Sequence, residues 1–225
     1  MDINRFLNLD CIRYMKSMPD NSVDMTLTDV PYGAVCRETN GLKKISNLDN
    51  IGVADLETFS LKEFCKEVYR ITKNSVVIFC GREQFSTVAD FFGKKKGTTR
   101  TVVWIKSNPV PSNGQYVYLS GIELAVWFKK SGGKNFNAYC KNPVFTYPIP
   151  SGKKRIHKTQ KHWDLWKELI LDNSAEGDLI FDPCAGSGIT ALVSKENKRN
   201  FLCLELDKET YDKSLVFLQK YKVFD

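Results

Sequence analysis

Asp178-Leu179-Ile180-Phe181-Asp182-Pro183-Cys184-Ala185-Gly186-Ser187-Gly188-Ile189-Thr190 is the stretch that decides the fold. Its apolar run ends on an acid at Asp182, as a short buried strand does at a sheet edge. Proline and two glycines then make a turn, and helical spacing follows over 189–196. Strand, glycine-rich turn and helix form the building unit of a parallel α/β sheet. Gly186 and Gly188 let the backbone approach a ligand closely. Glu205 stands 19 residues beyond Gly186, at the end of the next apolar strand. A carboxylate there is placed to grip ribose hydroxyls. A dinucleotide site would use a third glycine where Ala191 stands. Asp182 would also sit poorly beside a pyrophosphate, but well beside a cationic sulfonium.

A second apolar strand delivers another acid. Residues 22–33 read Ser-Val-Asp-Met-Thr-Leu-Thr-Asp-Val-Pro-Tyr-Gly. This places Asp29, Val30, Pro31 and Tyr32 at a strand's carboxyl end, the edge that carries chemistry in open α/β sheets. Asp, Pro and Gly are also ordinary turn residues, so this stretch alone does not distinguish a site from a turn.

Outward from these two motifs, short apolar runs alternate with amphipathic stretches. Strands are expected at 5–9, 23–28, 75–80, 101–105, 122–128, 178–181 and 200–204, seven in all. Leu61, Phe64, Cys65, Val68 and Ile71 recur at helical spacing, which predicts a helix over 60–72. Further helices are expected at 162–171, 189–196 and 208–220. The segments 33–59, 107–117 and 131–156 read as long loops. The sequence thus predicts one α/β domain over 1–225.

Bulk properties narrow the class. The chain has 225 residues, 42% of them hydrophobic and 26% charged, in the range of ordinary globular domains. No apolar run reaches the roughly 18 residues of a membrane span, and the first residues lack a signal-peptide core. A cytosolic protein without membrane association is expected. The seven cysteines are scattered without a Cys-x-x-Cys pair. They are expected to be reduced thiols, and no metal site is expected. The net charge of +7 favours polyanionic partners without naming one.

In combination, the motifs resemble those of the β-class DNA amino-methyltransferases. That family holds its target amine with Asp-Pro-Pro-Tyr, and a later Asp-Pro-Phe-x-Gly-x-Gly loop holds S-adenosylmethionine. Asp29-Val30-Pro31-Tyr32 stands first here and Asp182 to Gly188 second, the permuted order that marks the β class. Asn8-Leu9-Asp10-Cys11 is similar to the strand end that reads the cofactor's adenine. His157-Lys158-Thr159-Gln160-Lys161-His162 is similar to the family's His-Pro-Thr-Gln-Lys-Pro. Val30 replaces a proline, Cys184 a phenylalanine, and Lys158 and His162 two more prolines.

The resemblance implies a Rossmann-like methyltransferase fold with a mostly parallel sheet and helices on both faces. It implies transfer of a methyl group from S-adenosylmethionine to adenine N6 of a base flipped out of double-stranded DNA. Cytosine N4 and an inactive cofactor-binding subunit are the alternatives; Asp rather than Ser at position 29 leans to adenine. The implied catalytic residues are Asp29, Val30, Pro31 and Tyr32. The implied cofactor residues are Asp10, Cys11, Asp29, Thr159, Gln160, Lys161, Asp182, Cys184, Ala185, Gly186, Ser187, Gly188 and Glu205. It also implies a bacterial or phage-like origin, and homodimers are frequent among such relatives. The insertion at 131–156 carries Lys134, Lys141, Lys153, Lys154 and Arg155 among aromatics, and is expected to face DNA with help from the loop at 33–59.

Overall fold

A computed structural model describes residues 3–32, 59–111, 114–151 and 160–224. The expected loop at 33–59 lies outside them except for Phe59. Eight strands form one sheet: β1 (Arg5–Leu7), β2 (Val23–Asp29), β3 (Thr72–Cys80), β4 (Gly97–Lys106), β5 (Ile122–Lys130), β6 (Val144–Tyr147), β7 (Leu179–Asp182) and β8 (Asn200–Leu204). Their spatial order is β1-β8-β7-β2-β3-β5-β4-β6. All pairings are parallel except β3 with β5 and β5 with β4.

The expectation of seven strands is thus corrected to eight. The additional one, β6, lies within the stretch read as an insertion. It is short, but Phe145 is buried and the strand pairs in register with β4 from Val103↔Val144 to Lys106↔Tyr147. Its four residues follow a run of turn residues, which hid the strand from a reading based on periodicity.

Among the described residues six helices cover the sheet: α1 (Cys11–Ser17), α2 (Leu61–Ile71), α3 (Arg82–Gly93), α4 (Trp163–Asn173), α5 (Ile189–Glu196) and α6 (Lys208–Lys220). The helices α1, α2 and α3 pack Met15, Phe64, Val68, Val88 and Phe92 on one face, against Val76, Ile78 and Phe128. The other face is covered by α4, α5 and α6. There Leu165, Trp166, Leu169 and Val193 meet Met25, Leu27, Val77 and Phe79, and Phe217 and Leu218 meet Phe201 and Cys203. A strand buried on both faces reads as a continuous apolar run, and β3 is one: Val76-Val77-Ile78-Phe79 alternates between the two cores.

Two helices were not singled out from the sequence. One is α1, too short for a periodic signal, which is capped by Asp10 accepting from the Arg13 N–H at 2.6 Å. The other is α3, where Phe85, Val88, Ala89 and Phe92 do follow i, i+3, i+4, i+7. Among the described residues no helix is long and apolar enough to cross a membrane.

The chain order fixes where a ligand can sit. From β2 the chain crosses through α2 to β3 on one side; from β7 it crosses through α5 to β8 on the other. Neighbouring strands whose crossovers diverge leave a crevice outside their carboxyl ends. Asp29 ends β2 and Asp182 ends β7, so both flank that crevice.

Candidate active site

The turn after β2 is clamped in place. The Val30 N–H donates to the Phe79 carbonyl at 3.1 Å. The Gln84 side chain, from the first turn of α3, donates to the Pro31 carbonyl at 2.8 Å and accepts from the Gly81 N–H at 2.9 Å. A Cβ at Gly81 would stand 3.6 Å from the Tyr32 ring, so the ring lies against backbone there.

Around Asp29 the structure assembles a charged network. Lys161 enters from the segment preceding α4 and is 4% exposed. Its Nζ hydrogen-bonds Asp29 Oδ2 and lies 3.3 Å from Glu123 Oε2. Lys106 Nζ holds the other Glu123 oxygen at 2.9 Å, and the Tyr32 hydroxyl donates to Glu123 at 3.2 Å. Burial pushes the Glu123 carboxyl up, but Lys161 and Lys106 outweigh it and hold it below the usual carboxylate range. Burial likewise disfavours the Lys161 cation, yet Asp29 and Glu123 keep its pKa above the ordinary value. Burial pushes Asp29 up, Lys161 pulls it down, and Glu123 adds to the rise. Two carboxylates and two ammonium groups therefore balance.

One atom of this network is left over. Asp29 Oδ1 is buried and, among the described residues, has no hydrogen-bond partner. A buried carboxylate oxygen without a donor is costly, so a ligand N–H is its natural complement.

The glycine loop is organised by its two acids. Asp182, 2% exposed, accepts from the Cys184 N–H at 3.2 Å and from the Thr190 hydroxyl at 2.5 Å. Burial raises its pKa to about 7. Thr190 in turn accepts from Trp166 Nε1 at 2.8 Å, which ties α4 to the loop. Asp182, expected beside a sulfonium, thus also shapes the loop through its bonds to Cys184 and Thr190. Glu205 accepts from the Gly186 N–H at 2.8 Å and from the Asp207 N–H at 2.9 Å. Carboxylate oxygens have spare lone pairs, so ribose hydroxyls can still donate to it.

The remaining residues expected at the cofactor converge on the same edge. The Ala185 N–H donates to the Leu204 carbonyl at 2.8 Å, and Ser187 is buried. Gly186 and Gly188 have left-handed φ of 49° and 74°. A Cβ at Gly188 would meet Leu218 at 2.9 Å, whereas beside Gly186 there is open space. Asn8 donates to the carbonyls of Glu205 and Leu206, both at 2.8 Å, which brings Asp10 and Cys11 beside the loop. Cys11 and Cys184 face each other, and their contact and burial push the Cys184 thiol up. Gln160 is buried next to Lys161, and Thr159 lies outside the described residues. An open glycine cradle, a ribose-competent acid and neighbouring carboxylates fit S-adenosylmethionine: Gly186 and Glu205 would hold its nucleoside part, with the carboxylates suited to its sulfonium.

The stretch at 131–156 is a partial correction. The strand β5 runs away from the catalytic edge, so the turn after it lies at the opposite one. There the Lys134 N–H donates to Asn74 at 3.0 Å and Asn135 donates to Asp178, at the foot of β7, at 2.7 Å. Lys141 is paired with Glu168 at 2.7 Å and with Asp172 at 2.5 Å. Lys134 and Lys141 therefore do not share the edge of Asp29, and only the chain beyond Tyr147 returns to it. Lys153, Lys154 and Arg155 fall outside the described residues.

The sequence reading missed Glu123, Lys106, Gln84 and Thr190. Glu123 did carry a signal, as an acid at the start of an otherwise apolar strand.

Known proteins agree with this geometry. The DNA methylase family, the grouping of N6 and N4 methyltransferases, matches residues 23–216. The type II methyltransferase M.HinfI of Haemophilus influenzae is 26% identical over 94% of this chain and 68% of its own length. The type II methyltransferase M2.DpnII of Streptococcus pneumoniae is 25% identical over 89% and 84%. The crystal structure of the M1.HpyAVI–S-adenosylmethionine complex superposes with a TM-score of 0.71 at 26% identity, over 95% of this chain and 99% of that one. The PvuII cytosine-N4-specific DNA methyltransferase, at 16% identity and a TM-score of 0.73 over 98% and 86%, shares the fold. The chain belongs to the DNA methylase family, whose methyl donor is S-adenosylmethionine.

Proposed function

We propose that this protein methylates the exocyclic N6 of adenine in DNA, on a base rotated out of the duplex. The observation that carries the reading is the buried Asp29 Oδ1, an acceptor without a donor among the described residues, beside the cofactor loop. An aromatic amine is a weak nucleophile because its lone pair is delocalised into the ring. Acceptors aimed at its N–H bonds make the nitrogen more tetrahedral and turn the lone pair outward. Asp29 supplies one acceptor and the Val30 carbonyl the other. Tyr32 stacks on the base, and Pro31, held by Gln84, fixes the turn. Bound S-adenosylmethionine supplies an electrophilic methyl group. Lys161 keeps Asp29 ionised in a buried setting, so that it accepts rather than donates. The attacked nitrogen is shielded within a stacked duplex, hence the flipped base. The thiol of Cys184, held protonated, is a poor nucleophile, which fits direct transfer without a covalent enzyme–base intermediate.

The test is incubation with DNA and methyl-labelled cofactor, followed by nucleoside analysis. N6-methyl-2′-deoxyadenosine is expected; N4-methyl-2′-deoxycytidine would overturn the adenine assignment. Asp29→Ala should lower turnover by at least about 100-fold, by analogy with removal of one oxyanion-hole donor, while cofactor binding persists. Near-normal turnover would overturn the role given to Asp29.

A further inference from the structure

We propose that the crest of the β4–β5 connection, around Tyr116 and Tyr118, is a base-stacking element that enters the duplex beside the target nucleotide. The proposal rests on the DNA reading above and adds a surface that reading does not use.

Both feet of this connection stand in the active site. The chain leaves from Lys106 and returns to Glu123, and those two side chains form the 2.9 Å ion pair of the charged network. The feet are fixed: the Lys106 N–H donates to the Gly121 carbonyl at 2.8 Å. Asn108 donates to the Ile149 carbonyl at 3.3 Å and accepts from the Ile149 N–H at 2.5 Å. Leu119 folds back on Gly114, where a Cβ would meet it at 2.9 Å.

The crest, by contrast, is bare. Tyr118 is fully exposed and Tyr116 is 80% exposed, with Val117 exposed between them and Val110 exposed elsewhere in the same connection. Contiguous apolar exposure of this kind marks an interaction surface. Tyr118 lies five residues from Glu123, at most about 17 Å of extended chain. Any duplex that presents a base to Asp29 therefore brings its neighbouring base pairs within reach.

The chemistry selects bases over phosphates. From Ser107 to Ile122 there is no charged residue, in a chain whose net charge is +7. Aromatic rings stack on base faces with little regard to sequence, whereas phosphate contacts need cations. Flipping a base leaves an unstacked gap, and an aromatic side chain can occupy such a gap. Of the other exposed aromatics among the described residues, Phe136 and Tyr139 belong to the turn at the opposite sheet edge, and Tyr221 caps the end of α6 and packs on Phe217 and Trp163.

The test is the Tyr116→Ala/Tyr118→Ala variant of the full chain, assayed with S-adenosylmethionine at the site found by mapping wild-type methylation of plasmid DNA. Three substrates are compared: the paired duplex, the same duplex with an abasic position opposite the target, and the single strand. On the paired duplex kcat/KM should fall about tenfold, as loss of base stacking implies. On the other two substrates it should stay within about threefold, because their target base is already freed from pairing. The salt dependence of duplex binding should not change, and Tyr116→Phe/Tyr118→Phe should restore activity. Wild-type kcat/KM of the alanine variant on the paired duplex overturns the proposal. So does an equal loss on all three substrates, which marks a structural role. A change from dimer to monomer in sedimentation overturns it too, because the crest would then hold a second copy. If the unaltered enzyme methylates no DNA, the functional reading itself falls; an active enzyme with an indifferent crest refutes the stacking proposal alone.

Discussion

Replacing Lys161 with methionine keeps most of the length of the side chain and removes its charge. Lys161 is buried, and its ammonium group faces Asp29 and Glu123 together. Glu123 retains Lys106 when Lys161 is gone; Asp29 retains no cation among the described residues. Burial and the Glu123 charge then act on Asp29 unopposed, so its pKa must rise above the already raised wild-type value. Removing one partner of a buried ion pair costs about 3–5 kcal/mol. Asp29 is 17% exposed, so water recovers part of this, and the upward shift of its pKa reflects what remains. Because Asp29 must be ionised to accept, the acid limb of kcat/KM against pH should move upward, with activity recovering as the pH rises far enough to ionise the carboxyl again. The assay is that pH profile, taken with calorimetric cofactor binding and a thermal melt. Cofactor affinity should change by less than about tenfold, or 1.4 kcal/mol. A folded variant whose activity falls equally at every pH, or whose cofactor affinity collapses, would refute the reasoning and return Lys161 to the cofactor role that the sequence resemblance implies.

Asp182→Asn should reveal the cost of burying that acid. Its folded pKa of about 7 stands well above the ordinary carboxyl value of 3.8, so wild-type stability declines as pH rises from about 4 to 7 and is flat above. The melting-temperature gain of the variant should therefore grow over that window, toward a ceiling of about 4 kcal/mol; a gain independent of pH would contradict this. Glu205→Ala should weaken calorimetric S-adenosylmethionine binding by about 1.5–3 kcal/mol, the value of hydrogen bonds to a charged acceptor, and unchanged affinity would exclude it from the site. Converting Lys153, Lys154 and Arg155 together to Ala should flatten the salt dependence of DNA binding, by up to about 0.9 in log–log slope for each phosphate no longer neutralised. An unchanged slope would move the phosphate-binding cations elsewhere.

What could be read in the sequence follows the range of the forces involved. The strands β7 and β8 declare themselves as apolar runs buried on both faces, and β2 by Val23, Met25 and Leu27 alternating with polar residues; the acids at their ends stand out against those patterns. The glycines declare themselves because Gly186 and Gly188 sit in left-handed conformations that other residues adopt at a cost. Motif order carried the family. The charged network did not declare itself, because it is made by contacts between residues far apart in the chain. Lys161 is 132 positions from Asp29, and Glu123 reaches the same place only because β5 runs antiparallel to β3 and begins where β3 ends. The same reversal misled the reading of Lys134. A loop that follows a strand lies at the catalytic edge only when that strand is parallel to β2. A one-dimensional scan counts basic residues and cannot count reversals. The expected DNA face thereby divides: 131–142 goes to the far edge, and the chain beyond Tyr147 returns to the near one. The uncharged crest of the β4–β5 connection takes the place beside Asp29, where phosphate-binding lysines were sought.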